Sequence, residues 1–163
     1  MTTIELAARA LAMGVAGSAA IDLWALGLRK AFGIASLDYR FLGRWLGHIP
    51  QGRLFHQRIA ASAPVRGEQL LGWVAHYGIG IGFAAVLLLV AGDGWASSPA
   101  PWPALGVGIG TVLAPWLVMQ PAFGAGIAGS KTPRPWQGRL RNLGTHTVYG
   151  LGLYGSAVVL AAL

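Results

Sequence analysis

The sequence predicts an all-α membrane protein, a four-helix transmembrane bundle made of two repeated helix-loop-helix hairpins. Three observations predict it. Only 10% of the 163 residues are charged and 55% are hydrophobic, whereas an average soluble domain is about 25% charged. Residues 69–91, QLLGWVAHYGIGIGFAAVLLLVA, run for 23 residues without a formal charge, and roughly 20 apolar residues in a helix cross a bilayer core. Three further runs of similar character flank this one, so the chain reads as a single integral-membrane domain, residues 1–163, with no separate soluble module.

The elements follow in order. Residues 4–28 are the first span, interrupted only by Arg9 and Asp22. Glu5 stands where a signal peptide carries basic residues, and the apolar pattern continues through Leu23, Trp24 and Leu26, so this span is expected to be retained. Residues 29–67 form a connection with seven basic residues and one acid, Asp38. A connection of this length carries structure of its own. Leu37, Phe41, Leu42, Trp45, Leu46 and Ile49 recur at helical spacing, with Arg40, Arg44 and His48 on the polar side. Ser36 is placed to cap this helix, and Pro50 with Gly52 to end it. An amphipathic helix in the membrane interface is expected, its basic side toward anionic headgroups. Residues 69–91 are the second span, and 92–103 a turn without a basic residue. Residues 104–121 are the third span, kinked at Pro115 and ended near Pro121. Residues 131–142 are a second basic connection holding Lys131, Arg134, Arg139 and Arg141, and residues 143–163 the fourth span.

Charge sets the expected topology. Loops rich in Lys and Arg stay cytoplasmic, which places both basic connections inside and the Asp93 turn and both termini outside. The same distribution explains the net charge of +7 without nucleic acid as a partner. The expected partners are the bilayer, its anionic headgroups, and a second copy or another membrane protein. The absence of cysteine excludes thiolate metal sites and disulfides.

The two halves resemble each other. Gly14, Val15, Ile21 and Trp24 match Gly106, Val107, Leu113 and Trp116 in spacing. Ala31-Phe32-Gly33 matches Ala122-Phe123-Gly124, Gln51-Gly52-Arg53-Leu54 recurs as Gln137-Gly138-Arg139-Leu140, and His76, Gly80 and Gly82 match His146, Gly150 and Gly152. The repeat is expected to be parallel, its axis along the membrane normal.

Few ionisable residues lie inside the spans: Arg9, Asp22, His76 and His146. A charge at the bilayer centre costs at least ~2.5–3.5 kcal/mol, so such residues face protein or water. Rows at four-residue spacing, Gly14-Ser18-Asp22, Gly72-His76-Gly80, Gly106-Gly110-Ala114 and Asn142-His146-Gly150, put them on small-residue packing faces. Asp22 and His76 lie roughly 10–12 Å below the inner surface at about 1.5 Å per residue. Asp22, His76, His146, Gln120 and Tyr149 are therefore the candidate binding residues of an inner-half pocket, with Tyr77 as a neighbour. Interhelical hydrogen bonding explains the same residues without a ligand. No resident cofactor is expected. Asp22, His76 and His146 are the candidate ligands if a divalent metal binds, being two imidazoles and a carboxylate. Arg40, Arg44, Arg53 and Arg58 are the candidate headgroup-binding residues; His48 and His56 are expected to be solvated. No nucleophile elbow or serine triad is readable, so no catalytic residue is assigned and a non-enzyme is favoured.

Several motifs together resemble a known family: Asp22-Leu-Trp, Gly43-Arg-Trp-Leu-Gly-His48, Pro64-Val-Arg-Gly-Glu68, His76-Tyr-Gly-Ile-Gly80, Met119-Gln-Pro-Ala-Phe-Gly-Ala-Gly126, Lys131-Thr-Pro-Arg-Pro135 and Gly150-Leu-Gly-Leu-Tyr154. The chain is similar over residues 14–154 to the bacterial membrane family catalogued as domain of unknown function two-nine-three-eight. The resemblance implies a bacterial inner-membrane protein of about four spans and brings no activity. Three readings follow. The first is a protein that binds or moves a proton, metal ion or small polar solute. The second is a membrane scaffold or accessory subunit, and the third a lipid-modifying enzyme working at His48, His56 and the loop arginines.

Overall fold

The computed structural model describes Met1–Leu163 and contains helices and turns without a strand. Helix α1 spans Thr3–Phe32. The Thr2 side chain accepts from the Glu5 N–H at 3.2 Å, a cap contributing about 1 kcal/mol. Gly33, at φ 65°, closes the other end, where Arg29 and Lys30 meet the negative end of the helix dipole. Helix α2 spans Arg40–His48 and runs into a 3₁₀ turn, Ile49–Gln51, that stops at Gly52 with φ 74°. The expected stop at Pro50 and Gly52 is therefore found. The start differs: Ser36 bonds the Ala25 carbonyl at 3.5 Å, and the Asp38 carboxylate takes the Arg40 N–H at 3.0 Å. A second 3₁₀ turn occupies Ile59–Ala61.

Helix α3 spans Glu68–Ser97 and breaks at Gly92, where φ is 76°. The uncharged run ends at that glycine, and the turn beyond it is closed by Trp95 Nε1 donating to the Ala100 carbonyl at 2.8 Å. Helix α4 begins at Pro101 and extends to Gly110. A π-helical turn, Pro115–Met119, and the single turn α5, Gln120–Ala122, continue it. Pro115 does mark a distortion, but the ladder is interrupted earlier, at Thr111 and Val112. Proline has no N–H to return to the carbonyl four residues before it, and that carbonyl belongs to Thr111. Helix α6 spans Pro135–Ala161.

Three segments, α1, α3 and Pro101–Ala122, are long and apolar enough to cross a membrane. The expected fourth span falls on α6, which has the length, but His146, Asn142 and its glycines dilute its apolar character.

The chain divides into two compact units. The first comprises Met1–Ser36, Tyr77–Thr111 and Gly144–Leu163. Its core joins Ala10 and Met13 of α1, Ala84, Leu87 and Leu88 of α3, Ala104 of α4, and Tyr149, Leu153 and Ala157 of α6. Glycine sets the helix spacing: a Cβ on Gly14 would collide with the backbone of Gly80 and Ile81, and one on Gly108 with the backbone of Gly150. Close backbone approach of this kind is how membrane helices associate where lipid removes the hydrophobic drive. The α1, α3 and α6 rows face inward as expected. On α4 the contact is at Gly108, while Gly106 and Gly110 meet open space, which corrects the expected row.

The second unit comprises Leu37–His76 and Val112–Leu143. Here α2 packs on the first turns of α3, and a Cβ on Gly43 would strike the Glu68 carbonyl, one on Gly72 the Tyr39 carbonyl. Two backbone bonds, His56 N–H to Ala122 O at 2.9 Å and Ile59 N–H to Phe123 O at 3.1 Å, cap the end of α5 with the first connection.

The matched segments of the two halves behave differently. Gly33 and Gly124 both follow a helix end with positive φ, and both histidine-glycine motifs are helical. Gln51-Gly52-Arg53-Leu54 forms a turn and its exit, whereas Gln137-Gly138-Arg139-Leu140 lies within α6, so that identity carries no common structure.

Candidate functional site: the basic clefts beside a buried histidine pair

The five residues expected to line an inner pocket each hydrogen-bond to a residue outside that set. Asp22 accepts from the Tyr77 hydroxyl at 2.9 Å. His146 Nδ1 lies 2.7 Å from Thr111 Oγ1, whose proton goes to the Gly108 carbonyl. The Tyr149 hydroxyl donates to the Gly80 carbonyl. In the second unit, His76 Nε2 lies 3.1 Å from the Tyr39 hydroxyl, with Trp73 set edge-on against Tyr39. Gln120 Nε2 donates at 2.7 Å to the Asn142 amide oxygen, oriented to satisfy its neighbours, and Trp116 Nε1 donates to it at 3.1 Å. These are bonds between helices, or between a helix and a loop. No three His, Asp or Glu side chains gather where they would hold a metal ion.

The four candidate headgroup arginines separate into two kinds. Arg40 is tied to Asp38 through Nη2 at 2.6 Å, and this pairing holds the Asp38 carboxyl below its ordinary range. Arg44 is turned inward, which corrects its expected headgroup role. Its Nε and Nη2 donate to Glu68 at 2.8 and 2.7 Å. Its Nη1 donates to the carbonyls of Ile59, Ala60 and Ser62. Glu68 also accepts from the Val65 N–H at 2.9 Å. Arg44 and His48 on the polar side of α2 are thus covered by protein, while Arg40 is exposed. Sequence periodicity identifies a polar face; it does not say what covers it.

Arg53 and Arg58 are exposed and form no ion pair. They line an open cleft of 880 Å³ with Ala61, Ser62 and Ala63. A second cleft, of 740 Å³, is lined by Gln57, Pro121, Gly124, Gly126, Ser130 and Lys131, among others. Phe55, His56 and Gln57 belong to both, so this short segment is the wall between them. Neither cleft has a carboxylate in its lining. Phe55 is 74% exposed and Leu54 48% exposed, so two apolar side chains project between Arg53 and Arg58. The floor of the second cleft is a tightly wound loop with positive φ at Gly124, Gly126, Ala128 and Gly129. Arg139 Nε holds that loop through the Ala128 carbonyl at 3.0 Å.

His48 and His56, expected to be solvated, are buried and bonded to each other, Nδ1 to Nε2, at 2.9 Å. Burial, reinforced by Arg53, lowers the His48 pKa from its ordinary value. Sequence reading named His48 and His56 only for an enzyme reading and missed that they pair; it assigned no role to Glu68 or Lys131. Glu68 did leave a signal: it is one of five acids in the chain and sits at the edge of an uncharged run.

No curated protein and no solved structure matches the chain. The family described as "Protein of unknown function (DUF2938)" matches residues 11–160, a range that holds both clefts and the residues around them. The chain is a member of the DUF2938 family.

Proposed function

We propose that this is a multi-pass membrane protein that binds the phosphate of an anionic lipid headgroup in the basic clefts of its second unit. The observation that carries this reading is the set of unpaired cations Arg53, Arg58 and Lys131 around clefts without a carboxylate. Leu54 and Phe55 favour a lipid over a free solute, because exposed apolar side chains beside basic ones suit the bilayer interface. In this reading α6 is the fourth span: Leu151, Val158 and Val159 are exposed along it, as on a lipid-facing surface. Both basic connections face the cytoplasm of a bacterial cell and both termini face out, as the positive-inside rule supports. Asp22, His146 and Tyr149 act as bonds between helices, the role their partners favour.

The test is binding to the detergent-purified full chain of three soluble probes: dihexanoyl phosphatidylglycerol, its zwitterionic choline counterpart, and glycerophosphoglycerol, which has the phosphodiester without acyl chains. Phosphatidylglycerol should bind at least tenfold more tightly than the other two. The triple variant R53A/R58A/K131A should lose that preference while remaining folded. Equal binding of the choline lipid, or an unaffected triple variant, rejects the reading; equal binding of glycerophosphoglycerol assigns the site to a free anion.

A further inference from the structure

The two buried histidines of the second unit stand in a line of hydrogen-bonding groups that ends on a carbonyl. His56 Nδ1 lies 3.3 Å from the Ala122 carbonyl. His56 Nε2 meets His48 Nδ1 at 2.9 Å, and the rings stack with centroids 5.0 Å apart. Neutral imidazole has one N–H and one lone pair. Nδ1–H of His56 serves Ala122, and Nδ1–H of His48 serves His56, which leaves the lone pair of His48 Nε2 to take a proton. Passage of the His48 Nδ1 proton across the 2.9 Å bond moves the resulting charge to His56. A second proton would need the His56 Nε2 lone pair, which the bond from His48 already uses. The pair therefore takes one added proton, and only one.

We propose that His48 and His56 form a one-proton site, shared between two imidazoles, whose filling is coupled to the binding of a phosphate-bearing anion in the adjoining clefts. This rests on the cleft reading above, since His56 lines both clefts.

The surrounding charges explain why the coupling is needed. Arg44, on the same helix as His48, and Arg53, on the segment that follows, both oppose a further positive charge, as does burial. Glu68, on α3, is the acid on the facing helix, and Arg44 already engages it. Arg58 and Lys131 line the clefts with His56 and add more positive charge. The added proton therefore lacks a counter-charge until an anion enters. Linkage is reciprocal: an anion that favours the protonated pair is itself bound more tightly when the pair is protonated.

The experiment is ¹⁵N NMR of the histidine-labelled full chain in detergent micelles from pH 5 to 9, with and without dihexanoyl phosphatidylglycerol. That probe is a phosphodiester whose own charge is constant over the range. His48 and His56 should titrate together, taking up one proton between them. Saturating probe should raise the midpoint by about half a pH unit or more, matched by about threefold tighter binding at pH 5.5 than at pH 8, a modest coupling by the usual scale. The variant H56Q, checked for folding by its thermal transition, should bind the probe with little pH dependence. Two independent one-proton titrations, or rings neutral down to pH 5, overturn the shared-proton site. A midpoint unmoved by a probe that binds overturns the coupling alone. A probe that fails to bind at any pH overturns the cleft reading, and the coupling falls with it. The same shift from glycerophosphoglycerol supports the coupling with a free phosphodiester as the anion.

Discussion

Arg44 and Glu68 form a buried ion pair through two parallel hydrogen bonds, 2.8 and 2.7 Å long, that ties α2 to the start of α3. The remaining Arg44 nitrogen binds three carbonyls of the segment between them. Removing one partner strands a charge away from water, at a cost of about 3–5 kcal/mol. R44M and E68L should each destabilise the second unit by that order, and the double variant by less than their sum. Unfolding midpoints in a double-mutant cycle measure this; strictly additive losses would argue against the pair.

Glycines should divide by what their missing Cβ would meet. G14A and G108A push a methyl into the backbone of a neighbouring helix and should cost about 1–3 kcal/mol, the usual range for overpacking. G82A and G106A meet open space and should be neutral or gain up to about 1 kcal/mol from better helix propensity. Denaturation by sodium dodecyl sulfate titration ranks the four.

Stability should depend on pH through His48. Its folded-state pKa is lowered from 6.5, chiefly by burial. The fold therefore favours the neutral ring, and this contribution is complete above the unfolded value. It is lost as the pH falls below 6.5 toward the folded value, where the unfolded chain binds the proton more readily. The thermal midpoint should drop between pH 7.5 and 5.5 in the wild type and change less in H48Q. A midpoint rising over that interval would reverse the assigned sign.

Ala128 is the one non-glycine residue with positive φ, at 48°. A left-handed conformation costs an L-residue roughly 1–2 kcal/mol. A128G should thus stabilise the loop by about 1 kcal/mol, less the entropy that glycine adds to the unfolded chain. Hydrogen exchange at residues 126–132 reads it, and faster exchange in the variant would show that the alanine is not strained.

Reporter fusions after Arg53, Asp93, Arg134 and the C-terminal residue should read inside, outside, inside and outside. An inside signal at the C-terminus would leave α6 as something other than a span.

The fold was largely legible where one residue type has one physical meaning. The uncharged run ends at Gly92 because the chain needs positive φ there, and Pro50 with Gly52 does stop α2. The inward rows of α1, α3 and α6 followed from small residues four apart. On α4 the same logic failed, because Gly106, Gly108 and Gly110 lie on more than one face and only the neighbouring helix selects Gly108. The site was less legible for a related reason. Arg44 and His48 mark a polar face, but the groups that cover it, Glu68 and His56, come from elsewhere in the chain. Lys131 joins His56 at one cleft only because the end of α5 is capped by the first connection.

That cap has a consequence for how the protein is made. The amide of His56 finds its carbonyl on Ala122, 66 residues later in the chain. Synthesis proceeds from the N-terminus at about 5–20 residues per second, so the first connection leaves the ribosome several seconds before its partner exists. The α2–α3 hairpin can close early through Arg44 and Glu68, whereas residues 53–61 must wait for the third apolar segment to be inserted. During that interval the segment that will wall both clefts is open to proteases and chaperones, and completion of the basic unit becomes a report that insertion of the third segment has succeeded.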